Sequence, residues 1–121
     1  MALTDLGNLF GLVKFYTGAR GKGVKPIAGA DVWIANPLVP DDPSRLLLLA
    51  RNRTGYRQLC ELLTRSYTVQ GRRDRAEIRR EWFAEVGCDG LIALSGAHLG
   101  DVGEALLNGN FDLARERALA W

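Results

Sequence analysis

A chain of 121 residues, 47% apolar and 25% charged, has room for one domain around one buried core. Its formal net charge of +2 excludes a protein that works through overall basicity or acidity. The longest uninterrupted apolar run, Leu46 to Ala50, is strand length and far short of the ~20 residues that span a bilayer.

The opening stretch, Leu3-Thr4-Asp5-Leu6-Gly7-Asn8-Leu9-Phe10-Gly11, reads as a strand end, a Gly-Asn turn and a helix start. It comes so early that the sequence is expected to be a piece of something larger. Leu9, Leu12, Val13, Tyr16 and Ala19 recur at helical spacing, with Asn8 as the expected N-cap and glycines 21 and 23 at the end. Residues 27–35 alternate Asp31, Trp33 and Ala35 with Val32 and Ile34, a strand with one more polar face. Pro37, Pro40 and Pro43 mark a solvent-facing loop. Leu46 to Ala50 is apolar on both faces and predicts a central strand of a parallel sheet. Thr54 is the expected cap of a helix bearing Tyr56, Leu59, Cys60, Leu63 and Tyr67. Asp74 and Glu77 have capping-box spacing ahead of a short helix that turns Ile78, Trp82 and Phe83 inward. Residues 90–96 predict another buried strand. Leu99, Val102, Leu106 and Leu107, and then 111–121 capped by Asn110 or Asp112, predict two final helices. Strands separated by helices imply an α/β fold with mainly parallel strands and covering helices.

Few groups here could carry chemistry. Cys60 lies on an apolar stripe and Cys88 in a turn without a basic neighbour; both read as free thiols of a cytoplasmic protein. Ser95 lacks the glycines of a nucleophile elbow, and His98 is the sole histidine, too few for most hydrolytic zinc sites. The run Gly18 to Gly23 sits at a helix end, where the dipole repels phosphate, so it is not a phosphate loop. Asp5 and Asp31 could share a cleft and a metal; alternatively Asp5 caps its own loop through the Gly7 or Asn8 amide and Asp31 faces water. From Arg51 to Arg80 nine arginines stand against Glu61, Asp74 and Glu77. That excess could meet a phosphate backbone or acidic partner, with Arg72, Arg73 and Arg75 the candidate contacts, or it is a solvated helical face.

Four blocks in order resemble the PHP (polymerase and histidinol phosphatase) domain of bacterial replicative DNA polymerase III alpha subunits. They are Leu3 to Gly11, Lys25 to Val32, Leu46 to Tyr56 and Gly90 to Ser95-Gly96; Leu12 to Tyr16 and Gly100 to Gly103 look like the proteobacterial form. The resemblance implies a distorted β/α barrel of which residues 1–121 are a single incomplete domain, lacking the N-terminal strand and the C-terminal part. Active members of that family hold up to three metals and hydrolyse phosphoesters, in some polymerases as a 3′–5′ exonuclease. This sequence keeps Asp5 but has Leu6 where the family's histidine belongs. Lys14 replaces a glutamate, Asp31 stands for a ligating glutamate, and Arg45 replaces a second histidine. Leucine has no lone pair, and lysine or arginine puts positive charge where cations would sit. The resemblance therefore implies a vestigial metal site holding no metal, and a structural and docking module of a parent polymerase. The alternative is a metal-dependent phosphoesterase. Implied partners are a separate epsilon proofreading exonuclease, other replicative holoenzyme subunits, and DNA through the parent chain. No cofactor is expected here; magnesium is expected in the parent's polymerase domain, where nucleotidyl transfer would reside.

Overall fold

The computed structural model describes residues 1–69 and 75–121. In chain order it contains β1 (Ala2–Leu6), α1 (Leu12–Gly21), β2 (Ile27–Ile34), β3 (Ser44–Ala50), α2 (Arg53–Thr68), β4 (Glu77–Ile78), α3 (Trp82–Val86) and β5 (Leu91–Ser95). A 3-10 turn (Ala97–Leu99), α4 (Asp101–Leu107) and α5 (Phe111–Leu119) follow. The five strands form one sheet in the order β1-β2-β3-β5, with β4 also on β2.

That sheet is mixed, which corrects the mainly parallel expectation. β1 and β4 run parallel to β2, but β3 is antiparallel to both β2 and β5. The cause is legible in the connection. A parallel return needs a crossover of about a dozen residues or more, usually helical, whereas β2 and β3 are joined by a proline-bearing loop organised on one side chain. Asn36 Oδ1 accepts from the amides of Leu38 (3.1 Å) and Val39 (3.2 Å), and its Nδ2 donates to the Asp42 carbonyl (3.2 Å). β3 covers one side of β2, so β1 and β4 follow one another along the other side. Among the described residues the sheet is open and does not close into a barrel.

The core lies on one face. Ala30, Val32 and Ile34 of β2 alternate with Leu46 and Leu48 of β3, and α2 lays Leu59, Leu62 and Leu63 across them, joined by Ile78 and Trp82. Each fully buried leucine contributes about 1.5–3 kcal/mol relative to exposure. Leu47 and Leu49 point the other way and are only half-buried. β3 is thus not covered on both faces, contrary to its uniform sequence. β5 is likewise no buried strand: Ile92 is 46% and Leu94 47% exposed.

Several local expectations also change. α2 is capped by Asn52, whose Oδ1 accepts from the Gly55 amide at 2.9 Å, instead of by Thr54. Close packing requires glycine there: a Cβ on Gly55 would stand 1.7 Å from the Gly90 carbonyl oxygen. Gln58 ties the same turn to β5, donating to Asp89 at 2.6 Å and accepting from the Gly90 amide at 3.1 Å. α1 has no buried residue, and its expected inward stripe leaves Val13 77% and Tyr16 52% exposed. Where a helix was expected from Asp74, Ile78 belongs to β4 and the helix begins at Trp82; Asp74 itself lies outside the described residues. Asn110 caps α5 as expected, accepting from the Leu113 amide.

Candidate functional site

The end of β1 and the loop after it are fixed by their own polar side chains. Gly7 adopts φ +67°, and its amide donates to the Asp31 carbonyl at 2.7 Å while its carbonyl accepts from the Tyr67 hydroxyl at 2.9 Å. Asn8 is not the α1 cap. It bridges the loop, donating to the Leu6 carbonyl and accepting from the Phe10 amide. Asp5 accepts from the Gly11 amide at 3.0 Å, a loop-closing role through a different amide from those expected.

Strand alternation then decides which candidate residues meet. β1 and β2 pair with Leu6 beside Asp31 and Asp5 beside Ala30. Ala30 is fully buried in the core, so Asp5 projects on the core face and Asp31 on the opposite one. The two carboxylates do not share a cleft. Leu6, Asp31 and Arg45 do share a face, with Arg45 beside Trp33 in the β2–β3 register. Lys14 is apart from them, exposed on α1.

On that face Asp31 is already taken. Arg45 Nε donates to its Oδ1 at 3.0 Å, and an Arg45 terminal nitrogen donates to its Oδ2, a bidentate pair. The pair is partly shielded, with side-chain exposures of 17% for Arg45 and 28% for Asp31. Hydrogen bonding to Asp31 holds the Arg45 guanidinium above its ordinary pKa, against a smaller opposing effect of burial. The guanidinium also lies 4.5 Å from the Trp33 ring centroid. Arg75 approaches the same ring at 5.3 Å and pairs with Glu77 at 2.8 Å. A continuous line of groups, Asp31–Arg45–Trp33–Arg75–Glu77, therefore runs across three strands' positions and satisfies itself.

A divalent metal does not fit this donor set. Leu6 offers no lone pair, Asp31 is neutralised by a cation that does not titrate in the physiological range, and Asp5 is on the other face. Among the described residues no three His, Cys, Asp or Glu side chains converge as a metal would require. Arg75, expected as an outward contact, is spent on Glu77 and Trp33; Arg72 and Arg73 lie outside the described residues. His98 is exposed in the 3-10 turn. The neighbouring cleft of about 1020 Å³, between the 36–43 loop, α3 and α4, contains three ion pairs: Arg75 with Glu77, Arg80 with Asp101, and Arg117 with Glu104.

Sequence reasoning placed Asp31 and Arg45 individually but missed their union and the part played by Trp33. The available signal was the two-residue alternation of Asp31 and Trp33 followed by the short loop, which forces Arg45 back alongside both.

Comparison with known proteins matches the PHP domain family over residues 1–121. The chain is 51% identical over its whole length to the DNA polymerase III subunit alpha of Neisseria meningitidis, covering 11% of that protein. It is 46% identical over its whole length to the corresponding subunit of Pseudomonas fluorescens, covering 10%. Over 96% of its length it is 44% identical to that of Escherichia coli K12, again covering 10%. The chain thus spans about a tenth of the length of the curated relatives it matches. Among the described residues no helix is long and apolar enough to cross a membrane.

Proposed function

Because the chain belongs to the PHP domain family, we propose that it serves as a non-catalytic structural and docking module of a replicative DNA polymerase alpha chain. The whole polypeptide would perform template-directed DNA synthesis, with magnesium held by carboxylates outside this segment. The partner to be seated would be a separate epsilon proofreading exonuclease, which on this reading would supply the hydrolysis that the domain itself does not.

One observation carries this reading: the Arg45 guanidinium occupies both oxygens of Asp31, on the face where Leu6 also stands. A cation bonded to the carboxylate substitutes a fixed, protein-borne charge for an exchangeable one. It holds β2 to β3 without offering a Lewis acid or an activated water. The pair favours the scaffold reading over a phosphoesterase, which needs open coordination positions and several lone-pair donors.

The test is hydrolysis of the 3′ end of single-stranded DNA by the full-length polypeptide carrying this segment, supplied with manganese or zinc. The expected result is no hydrolysis that responds to Asp31→Ala. Hydrolysis lost on Asp31→Ala would establish the phosphoesterase instead. Docking is tested separately, by pull-down of the exonuclease subunit with the intact polypeptide and with one in which this segment is deleted; equal capture by both would remove the docking role.

A further inference from the structure

Six of the described arginines in the arginine-rich stretch fall into two groups. Arg65 is engaged by Glu61 (2.9 Å) and Glu85 (2.6 Å), Arg75 by Glu77, and Arg80 by Asp101. Arg51, Arg53 and Arg57 are exposed and make no ion pair or side-chain hydrogen bond among the described residues. The sheet topology gives these three a setting. β2 pairs antiparallel with β3, with Gly29 beside Leu49, so continuing that register brings the end of β3 and Arg51 level with Ile27. Immediately before Ile27 come Arg20, Lys22 and Lys25, also exposed and without ion pairs among the described residues. Six cations without ion pairs among the described residues, from two chain segments, therefore lie toward one end of the sheet. Two carboxylates close by in the chain are otherwise engaged: Asp89 accepts from the Gln58 amide, and Glu61, one turn from Arg57, pairs with Arg65.

Local stability does not explain this arrangement. Arg20 and Lys22 suit the negative C-terminal end of α1, but Arg53 opens α2, where the dipole is positive. The first turn of α2 contains no acidic residue to offset it. A carboxylate there would stabilise the helix; arginine works against it. Cations stacked on the positive end of a dipole repel one another until a polyanion neutralises them.

We propose that this end of the sheet is a binding surface for the phosphate backbone of duplex DNA, contacted without base readout. The observations favour phosphate over an acidic protein segment. The cations are spread over two segments instead of lining a groove, arginine predominates at the helix start, and residues 20–25 and 51–57 hold a single aromatic, Tyr56 (41% exposed), which is short of a stacking platform.

The experiment uses the full-length polypeptide carrying this segment and a labelled blunt duplex, with affinity measured by anisotropy across roughly 50–200 mM salt. Each lost phosphate contact should make the slope of log affinity against log salt shallower by about 0.9. The triple variant Arg51→Gln, Arg53→Gln, Arg57→Gln should therefore lose about 2 to 3 of slope. The corresponding triple lysine variant should keep the slope, as should Arg65→Gln. Hydrogen exchange should show duplex-dependent protection over residues 20–25 and 51–57. An unchanged slope in the triple glutamine variant overturns the proposal. So does loss of polyglutamate capture by that variant with an unchanged duplex slope, which would identify the occupant as an acidic protein segment.

Discussion

Arg45 and Asp31 lie on adjacent antiparallel strands, one pleat apart along the same face, and are joined by two hydrogen bonds. The pair is a cross-strand clamp: it neutralises the only carboxylate among the site positions on that face and holds the guanidinium against Trp33. Its behaviour under substitution separates a structural role from a ligand role.

Removing one partner should cost more than removing both. Asp31→Ala leaves Arg45 shielded and uncompensated, and should destabilise β2–β3 by about 1–3 kcal/mol. Asp31→Leu with Arg45→Met should recover most of that loss. Protection of β2 and β3 amides against hydrogen exchange measures both. A double variant no better than Asp31→Ala would contradict the clamp.

The pH dependence has a definite sign. The folded Arg45 binds its proton more tightly than the unfolded side chain does. Its contribution is therefore complete at every pH below the ordinary guanidinium range, and is lost only as pH rises through the elevated value. Between about pH 6 and 9 the intrinsic-rate-corrected protection at β2–β3 should be flat on this account. Arg45→His should instead lose protection as pH rises through about 6.5 or above, where a histidine partner of Asp31 gives up its charge.

Restoring donors should restore metal affinity. Leu6 stands beside Asp31 in the register and Arg45 is bonded to it, so Leu6→His with Arg45→His places two imidazoles around a freed carboxylate. Cobalt absorption bands should appear in that variant and be absent from the natural chain. Absence from both would show that the face cannot hold a cation whatever its donors.

The close approach of α2 to β5 should tolerate no side chain. Gly55→Ala puts a Cβ within 1.7 Å of the Gly90 oxygen, so the backbones must separate and break the Gln58 bridge. Loss of about 3 kcal/mol or more is expected, read as early exchange of the 87–91 amides. Gln58→Leu should cost less, about 1–3 kcal/mol; a Gly55→Ala effect smaller than that of Gln58→Leu would contradict this packing.

Much of this was legible in the sequence where local rules act alone. The alternation of Ala30, Val32 and Ile34, the inward Leu59 and Leu63 of α2 and the Asn110 cap follow from periodicity and capping chemistry, whereas Tyr56 and Tyr67, expected on the same α2 stripe, are 41% and 63% exposed. What was not legible depends on neighbours far along the chain. Leu46 to Ala50 gives no sign of which face is covered, because all its residues are apolar; only the register shows Leu47 and Leu49 half-buried. Ile78 and Trp82 are four apart, so strand β4 and helix α3 looked like one helix. Asn52 outcompeted Thr54 because the chain turns into the helix two residues earlier than Thr54 would allow. The site positions were visible one by one, but strand parity, which parts Asp5 from Asp31, needs β1 and β2 in register.

Metal content of the full-length polypeptide tests the central claim most directly. Elemental analysis of the natural protein and of its Asp31→Ala variant, purified without chelator, should give identical zinc and manganese contents, none of it attributable to this domain. A whole-number equivalent of either metal per chain, lost on Asp31→Ala, would contradict the assignment of this face to a protein-borne cation.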